Sequence, residues 1–446
     1  MRFFGDVLGT LVTRVLIVIL NLVIGVLTAR TLGPEGRGIL TLVMTLPLTL
    51  VALADLGVTK ANIYFIARRK RSPSLVVGHS IFLALAMGLL AGGGLWLVRS
   101  LALDTFLRSV PAVYLGMILA LAPVVLAYAY GMSILRALQR FVMFNLARLM
   151  MPLLTLVAIA SALFLFGGGL DGAVAGYGVG TALAVAGTLL IVFRLAPPRL
   201  RLDFGLLGET LRYGSKSYAQ NLIGHLTYRL DIYLVAYFLS PREVAFYSIA
   251  TSVAEVLWYI PDSVGTVLFP KLSATDGERV HHLTAEACRH TLLITLLGAG
   301  AILVAGIFGI PLLYGQNFRP AVQPFLLLVP GVAVMTLYKV LARNFSSRNR
   351  QQVSVLAASV GLLLNAGLDW LLIPRLGTAG AAIASTLGYS AAGLLLLLAF
   401  HRESGVGWLD TLWLRSTDLI RYWDFWQRAW IRLTEARKER DGAGAL

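Results

Sequence analysis

Long apolar segments recur along the whole chain and are separated by short polar joints. A helix needs about 20 mostly apolar residues to cross the hydrocarbon core of a bilayer. Turn residues such as Gly33-Pro34 and Ser240-Pro241 mark the joints. The pattern therefore predicts an all-α integral membrane protein with twelve transmembrane helices. The predicted helices are 8–30, 38–60, 75–98, 111–134, 141–166, 172–195, 211–239, 244–269, 287–314, 321–342, 352–373 and 378–400.

Composition supports this class and limits the partners. The 446 residues are 58% hydrophobic and 13% charged, whereas soluble domains are about 45–50% apolar and about 25% charged. The net charge of +16 would suit a nucleic-acid-binding protein, but sixteen basic residues lie in one alternating set of joints and six in the other. Such a bias marks cytoplasmic loops. We therefore expect no nucleic-acid partner, both termini in the cytoplasm, and location in the cytoplasmic (inner) cell membrane.

An internal repeat divides the chain. ARTLGPEGRGILTLV at 29–43 aligns with AYFLSPREVAFYSIA at 236–250, at an offset of 207 residues. At the same offset Asp55 aligns with Asp262, and a later pair of segments matches at nearly the same offset. Six predicted helices separate equivalent points, so both halves have the same orientation, as in transporters with parallel repeats.

The repeat predicts three regions. The first lobe is 1–203, with spans one to six, and the second lobe is 204–403, with spans seven to twelve. Two such six-helix parallel repeats would enclose a central cavity. Residues 404–446 form a tail that holds five of the eight tryptophans. Its helical spacing predicts a cytoplasmic amphipathic helix on the membrane surface, with docking to a cytoplasmic protein as the alternative.

Three segments resemble one family. YRLDIYLVAYFLSPREVAFYSIA at 228–250, TARTLGPEGRGILTL at 28–42 and IPRLGTAGAAIASTLGY at 373–389 are similar to sequences of polysaccharide-biosynthesis flippases. That family belongs to the multidrug/oligosaccharidyl-lipid/polysaccharide exporter superfamily. The resemblance covers residues 1–400. It implies alternating-access transport of a polyprenyl-pyrophosphate-linked oligosaccharide from the inner to the outer leaflet, for surface polysaccharide biosynthesis.

Basic residues inside the spans are the candidate substrate-binding groups. A charge at mid-bilayer costs about 2.5–3.5 kcal/mol on insertion scales, so it usually faces a cavity or a partner. Four of these residues lie near cytoplasmic helix ends and could capture a pyrophosphate; alternatively, their side chains snorkel to water. Gln220 and Arg229 lie on the polar seventh span and complete the set. The candidate substrate-binding residues are Arg14, Arg148, Lys216, Gln220, Arg229 and Lys339.

Carboxylates inside the spans are a second candidate group. Asp231, Glu255, Asp262 and Asp55 could bind a coupling cation, carry protons, or form structural ion pairs with neighbouring bases. Glu255 and Asp262 are seven residues apart and would share a face of a continuous helix. Asp369 lies in the eleventh span, and its spacing assigns it no role.

Other functions remain open. The island Gly33–Gly38 lacks the lysine that ends a phosphate-binding loop, and no cofactor or metal is expected. Alternatives within the superfamily are a multidrug/cation antiporter or a lipid II flippase. A membrane-embedded glycan ligase or polymerase is a further alternative, although we expect no enzyme because no external loop is long. We expect a monomer whose partners are the lipid-linked glycan and membrane lipids, with a polysaccharide polymerase or glycosyltransferases as further candidate partners.

Overall fold

The structure is a computed structural model that describes residues 2–102, 110–199, 201, 203–275, 277–415 and 418. It does not describe the side chains of residues 2–8, 98, 99, 101, 102, 216 and 217. The described chain is helical throughout. Its helices are α1 Arg2–Ala54, α2 Val58–Ala67, α3 Pro73–Ala102, α4 Ala112–Ala137, α5 Phe141–Phe164, α6 Gly169–Leu195, α7 Phe204–Phe238, α8 Pro241–Ala254, α9 Tyr259–Ser273, α10 Arg279–Tyr314, α11 Val322–Ser347, α12 Gln351–Leu376, α13 Thr378–Ser404 and α14 Trp408–Leu412.

Ten helical segments in the described part of the chain are long and apolar enough to cross a membrane. The predicted first and second spans fall together in one segment, Gly9–Ala54. The predicted seventh span corresponds to α7, which is not among the ten and carries many polar side chains. A multi-pass, all-helical membrane protein is therefore confirmed. The twelve-helix arrangement in two lobes remains a prediction.

Gly33 breaks α1 where the sequence predicts a turn. Its φ of 67° and ψ of −178° lie outside the helical region, and glycine adopts such a φ without steric cost. Helical structure resumes at Pro34. Arg37 Nη2 lies 4.0 Å from the position of a Cβ on Gly25, although twelve residues of straight helix would span about 18 Å. The two limbs of α1 therefore fold back on each other, and Arg37 belongs to the second limb rather than to a loop.

Two predicted spans are interrupted. The second span, predicted at 38–60, ends at Ala54, and Gly57 with a φ of 79° precedes α2. The eighth span, predicted at 244–269, divides into α8, a 3-10 turn over Glu255–Trp258, and α9. Glu255 and Asp262 therefore do not share one continuous α-helix, because the 3-10 turn changes the rotation per residue between them.

The chain packs as two compact units. The first comprises Met1–Val256, Ile302–Gly331 and Ala358–Tyr389, and the second comprises Leu257–Ala301, Val332–Ala357 and Ser390–Leu446. In the first unit, Gly176 and Gly180 bring α6 against the backbone of α5, since a Cβ on either would lie 2.8 Å or less from α5 main-chain atoms. Small residues permit such close helix packing in membranes. The predicted lobe boundaries at 203 and 403 stay a prediction.

A contact within the first unit matches the repeat offset. Thr41 Oγ1 and Ser248 Oγ are 3.5 Å apart and 207 residues apart in sequence. Nearby, a Cβ on Gly38 would clash with the carbonyl oxygen of Pro241, so the second limb of α1 and the start of α8 meet backbone to backbone. Equivalent positions come into contact where two repeats meet at a symmetry axis, so this contact is what a two-fold repeat would produce.

Candidate functional site

A cavity of about 430 Å³ lies among the helices of the first unit. Three of its lining residues are arginines, and none of the described lining residues is acidic. Hydroxyls and one amide make up most of its other polar surface, and aliphatic and methionine side chains complete it. The polar lining residues are Arg37, Arg148, Arg229, Asn21, Thr41, Thr45, Tyr128, Thr155, Tyr177, Thr181, Ser248, Thr251 and Ser252.

Arg229 reaches the cavity from α7. Its Nη1 and Nη2 atoms donate to the two carboxylate oxygens of Glu255 at 3.0 and 3.3 Å. Nη1 also donates to its neighbour's carbonyl, Tyr228 O, at 3.0 Å. The two side chains are 33% and 21% exposed. The fork of Arg229 is thus held by one carboxylate, and the cavity-facing guanidinium retains access to a ligand.

A hydroxyl of α1 fixes the same face of α7. Thr49 Oγ1 lies 2.8 Å from His225 Nε2 and 2.5 Å from Tyr233 Oη. One face of α7 carries residues spaced by four, namely His225, Arg229 and Tyr233. Thr49 therefore contacts the residues one turn before and one turn after Arg229, which restrains the rotation of α7 at the cavity.

Arg148 reaches the cavity from α5. Asn145, one turn earlier on α5, donates from Nδ2 to Thr10 Oγ1 at 3.1 Å, which ties this part of α5 to the first limb of α1. Arg148 itself is half-buried. Of the six predicted substrate-binding residues, the structure brings Arg148 and Arg229 together at one cavity.

Arg37 is the lining cation that the sequence analysis missed, because it was assigned to an outer joint. Its Nε and Nη1 atoms are buried and have no hydrogen-bond partner among the described residues. The stripe Arg37, Thr41, Thr45 and Thr49 was the available signal, since residues four apart share a helix face. It would have shown that a helix begins directly after Gly33.

The other predicted binding residues lie elsewhere. Arg14 and Gln220 are half-buried and are not among the residues described as lining the cavity. The side chain of Lys216 falls outside the described residues. In the second unit, Lys339 Nζ donates to Asp262 Oδ1 at 3.1 Å and lies 4.8 Å from the ring centroid of Trp258. Lys339 and Asp262 therefore form an ion pair with a cation–π contact.

Asp55 lies at the break that follows α1. Its Oδ1 accepts from the Thr59 backbone N–H at 3.1 Å, and its Oδ2 accepts from the Thr59 hydroxyl at 2.9 Å. These bonds satisfy free donors in the first turn of α2, which is the role of a helix N-terminal cap. The geometry assigns Asp55 to the start of α2.

Two buried carboxylates come together in the first unit. Asp231 Oδ2 accepts from Tyr247 Oη at 2.6 Å and from Ser385 Oγ at 3.3 Å. With its amide nitrogen facing Asp369, Asn365 donates to Asp369 Oδ2 at 3.3 Å, and its amide oxygen accepts from the Ser385 backbone N–H at 3.0 Å. Asp369 is 0% exposed. Its Oδ1 atom is buried without a hydrogen-bond partner among the described residues.

This carboxylate cluster departs from the sequence-based assignment. Asp231 was predicted as an ion-coupling or structural residue, while Asp369 had no assigned role. A buried acceptor without a donor is costly, unless a proton or cation occupies it. The cluster can therefore hold a small cation between oxygen ligands, or a proton, and Asp369 belongs to it.

The tail begins as a docked segment of the second unit. Arg289 on α10 donates from Nε and Nη2 to the carboxylate of Asp418 at 2.5 and 2.8 Å. Arg289 lowers the pKa of Asp418 to about 2. Three possible metal ligands lie within 4.8 Å of one another, from Glu286, His290 and Asp418. Both carboxylate oxygens of Asp418 already accept from Arg289, which favours an ion pair over a metal site. The predicted amphipathic helix with Trp423, Trp426 and Trp430 lies outside the described residues.

Comparison with known proteins places the chain in a family. A family described as "Polysaccharide biosynthesis protein" matches residues 27–323. A protein named as an O-antigen transporter from Shigella flexneri is 22% identical over 410 residues, which cover 85% of this chain and 93% of that protein. A protein named as a low-salt glycan biosynthesis flippase, Agl15, from Haloferax volcanii is 21% identical over 182 residues. That match covers 40% of this chain and only 39% of the relative's length.

One solved structure covers most of the chain. The lipid II flippase MurJ, in an inward closed conformation, superposes with a TM-score of 0.71 over 89% of each chain, at 15% identity. At that identity the likeness concerns the fold alone. The family match, in contrast, spans well over half of the sequence. The chain therefore belongs to the polysaccharide biosynthesis protein family.

Proposed function

We propose that the protein is a secondary transporter that moves a polyprenyl-pyrophosphate-linked oligosaccharide from the inner to the outer leaflet of the cytoplasmic membrane. The observation that carries this proposal is the cavity with three arginines and no acidic residue among its described lining residues. Arginine forms two parallel, charge-assisted hydrogen bonds with phosphate oxygens. A cavity of this charge inside a helical membrane protein suits a diphosphate carried on a lipid.

The rest of the lining suits the other parts of such a substrate. Sugar hydroxyls need donors and acceptors, which the amide of Asn21 and the hydroxyls of Thr45, Ser252 and other lining residues offer. The polyprenyl tail would remain among lipids. The relatives named as an O-antigen transporter and a glycan flippase act in glycan export by name, and we extend that class of substrate to this chain.

A multidrug/cation antiporter is the second candidate within the superfamily. A cavity for cationic drugs would be expected to present carboxylates or aromatic faces to the charge. Here the lining cations would repel such a substrate, because like charges at short range in a cavity are weakly screened. A lipid II flippase differs from our proposal only in the glycan, and it shares the pyrophosphate that the arginines would bind.

We place the coupling ion at the cluster of Asp231 and Asp369. Two buried carboxylates with hydroxyl and amide neighbours offer several oxygen ligands, which a small cation such as Na⁺ prefers, and either carboxylate could instead take a proton. The unpartnered Asp369 Oδ1 atom supports this assignment. Filling the cluster by a cation would neutralise part of its charge and stabilise one arrangement of α7, α8, α12 and α13.

Two further parts of the proposal concern architecture. The contact of Thr41 with Ser248 at the repeat offset supports two lobes that meet near a two-fold axis. The bias of basic residues toward one set of joints supports cytoplasmic termini. Alternating access would then proceed by rocking of the two lobes around the cavity, as in other transporters built from repeats.

Reconstitution tests the transport step. Purified protein would be placed in liposomes that carry a short-chain polyprenyl-pyrophosphate oligosaccharide, and a membrane-impermeant glycosidase outside would report which glycans have crossed. We expect wild type to expose internal glycan, and Arg148→Gln and Arg229→Gln to slow it by at least about tenfold, as the loss of a charge-assisted bond of about 1.5–3 kcal/mol implies.

The matched control is Arg375→Gln, which removes an exposed arginine at the end of α12. It should transport like wild type. Ethidium efflux from the same liposomes tests the antiporter alternative. Movement of ethidium without movement of glycan would contradict the proposed function, and so would normal glycan transport by both cavity variants.

A further inference from the structure

We infer that Arg37 forms a second anion-binding site, at the Gly33 end of the cavity, which takes the substrate's phosphate oxygens at the end opposite Arg148. This inference rests on the proposed function, because it assigns a second position to the same pyrophosphate. Arg37 comes from the second limb of α1 and lines the cavity together with Thr41, one turn further on.

The two limbs of α1 show that Arg37 and Arg148 lie at different depths. Asn145, one turn before Arg148, is hydrogen-bonded to Thr10 on the first limb. The guanidinium of Arg37 instead reaches the position of a Cβ on Gly25, 4.0 Å from its Nη2 atom. Thr10 and Gly25 are fifteen residues apart, which corresponds to about 22 Å of helix. The part of α5 that carries Arg148 is therefore tied to the first limb about fifteen residues from the position that Arg37 approaches.

The second limb of α1 also places Arg37 at one end of the cavity. Its residues Arg37, Thr41, Met44, Thr45 and Leu48 line the cavity, and they share one face because they are spaced by three and four residues. From the first of these residues to the last, the limb rises by about 16 Å. The cavity thus extends along the limb, and Arg37 occupies its end next to the Gly33 break.

The surroundings of Arg37 indicate that a ligand completes its hydrogen bonds. Two of its three guanidinium nitrogens, Nε and Nη1, are buried and have no hydrogen-bond partner among the described residues. A buried charge without partners is strongly unfavourable. The other two cavity arginines differ, because Arg229 is bound by Glu255 and no guanidinium nitrogen of Arg148 is described as buried without a partner.

The fitting ligand is an oxyanion of the phosphate type. The fork of a guanidinium matches two phosphate oxygens, and burial strengthens the interaction because water screens it weakly. Transport also benefits from two anion positions, since a path of several moderate sites lets a ligand leave more readily than one strong site does. A diphosphate could thus pass from Arg148 and Arg229 to Arg37.

Ligand-dependent thermal stability of the full-length protein in detergent, with inorganic pyrophosphate as the probe, tests the inference. We compare wild type with Arg37→Gln, Arg37→Lys and the control Arg242→Gln. Arg242 is exposed on α8, beside the Pro241 that contacts Gly38. Arg37→Gln should weaken the apparent affinity for pyrophosphate by at least about tenfold. Arg37→Lys should give an intermediate loss, and Arg242→Gln should match wild type.

The stability without pyrophosphate separates a ligand-binding arginine from a structural one. Because Arg37 leaves buried donors unpaired, Arg37→Gln should melt at the same temperature as ligand-free wild type or at a higher one. A lower melting temperature together with an unchanged pyrophosphate response would overturn the inference. If Arg37→Gln fails to fold, Arg37→Lys tests the inference instead, because it keeps the charge. A pyrophosphate response of Arg37→Lys equal to that of wild type would overturn the inference.

The failure of this inference can be told apart from failure of the proposed function. If Arg148→Gln and Arg229→Gln lose the pyrophosphate response while Arg37→Gln retains it, the second site is refuted and the proposed function stands. If wild type itself does not respond to pyrophosphate, the proposed anion chemistry of the whole cavity is refuted. A partial loss of the pyrophosphate response in each of the three variants, with the response of the other site remaining, supports both.

Discussion

The ion pair of Arg289 with Asp418 allows a quantitative test of how the C-terminal segment is held. The two side chains are 8% and 1% exposed. Asp418 accepts from Arg289 Nε and Nη2, and also from the Arg415 backbone N–H at 3.0 Å. Arg289 Nη1 further donates to the carbonyl of Asp410 at 3.1 Å. The substitution Asp418→Asn removes the negative charge while it preserves the shape of the side chain.

The expected cost follows from burial. Removing one partner of a buried pair costs about 3–5 kcal/mol, because the other charge remains buried without compensation. With a shift of about 2–4 °C per kcal/mol for a domain of this size, the lower figure corresponds to a drop of roughly 6–12 °C in melting temperature. The drop should appear first in the second unit, which contains α14 and the first part of α10, including Arg289.

Thermal unfolding followed by tryptophan fluorescence measures this effect, since Trp408 and Trp413 lie in the docked segment. The matched control is Asp410→Asn. Asp410 pairs with Arg415 at 2.6 Å, but the two side chains are 40% and 48% exposed. Such surface pairs contribute about 0–1 kcal/mol. Equal melting temperatures of Asp418→Asn and Asp410→Asn would refute the argument from burial.

The first residues of the predicted tail pack against the core of the second unit. The sequence pattern predicts that the tail begins after residue 403. However, Val406 is 7% exposed in the core of the second unit, and Leu412 packs against the same core. A chain that ends at residue 404 should therefore melt at a clearly lower temperature than a chain that ends at residue 420. Equal stability of the two chains would show that the docked segment contributes nothing.

Three further outcomes are expected. Thr49→Val should weaken pyrophosphate binding by several-fold, and Thr49→Ser should restore it. The control Thr28→Val, whose hydroxyl contacts only the carbonyls of Ile24 and Gly25 in its own helix among the described residues, should bind normally. No further loss from Thr49→Val in an Arg229→Gln background would show that Thr49 acts through Arg229. Asp369→Asn should abolish any dependence of glycan transport on a sodium or proton gradient, and an unchanged dependence would remove the cluster from the coupling mechanism. The pKa of Asp418 is lowered to about 2 from an ordinary value near 3.9. The charged carboxylate therefore contributes about 2–3 kcal/mol to the free energy of unfolding above pH 4, and this contribution is lost as the pH falls through about 2. The stability difference between wild type and Asp418→Asn, measured by chemical unfolding, should shrink over that range.

Much of the helical layout could be predicted because membrane spans leave a strong periodic signal. Long apolar segments must satisfy their backbone hydrogen bonds internally, so they form helices wherever they cross a bilayer. The position of the first turn was also visible, since Gly33-Pro34 combines a residue that tolerates positive φ with one that starts a helix well. What the sequence did not show was how short the break is, and for that reason Arg37 was assigned to a loop.

Side-chain partnerships were harder to predict than helices. Asp369 was assigned no role because, of the residues in its cluster, only Asn365 lies on the same helix. Ser385, which bridges the cluster, contacts Asp231 across 154 residues of sequence. No local spacing rule reports such a contact. Lys339 was a candidate for substrate binding for a similar reason, since its partner Asp262 lies 77 residues away. Charges in membrane helices can be found from sequence, but their pairing depends on which helices pack together.

The helix α7 connects the two candidate sites of the first unit. Arg229 and Asp231 are two residues apart, so they point to different sides of the helix. Arg229 faces the cavity, and Asp231 faces the carboxylate cluster through Tyr247 and Ser385. A rotation of α7 that relaxes one site must therefore disturb the other. An ion in the cluster and an anion in the cavity would then change each other's affinity by the same factor, which is the thermodynamic requirement for an ion-coupled transporter.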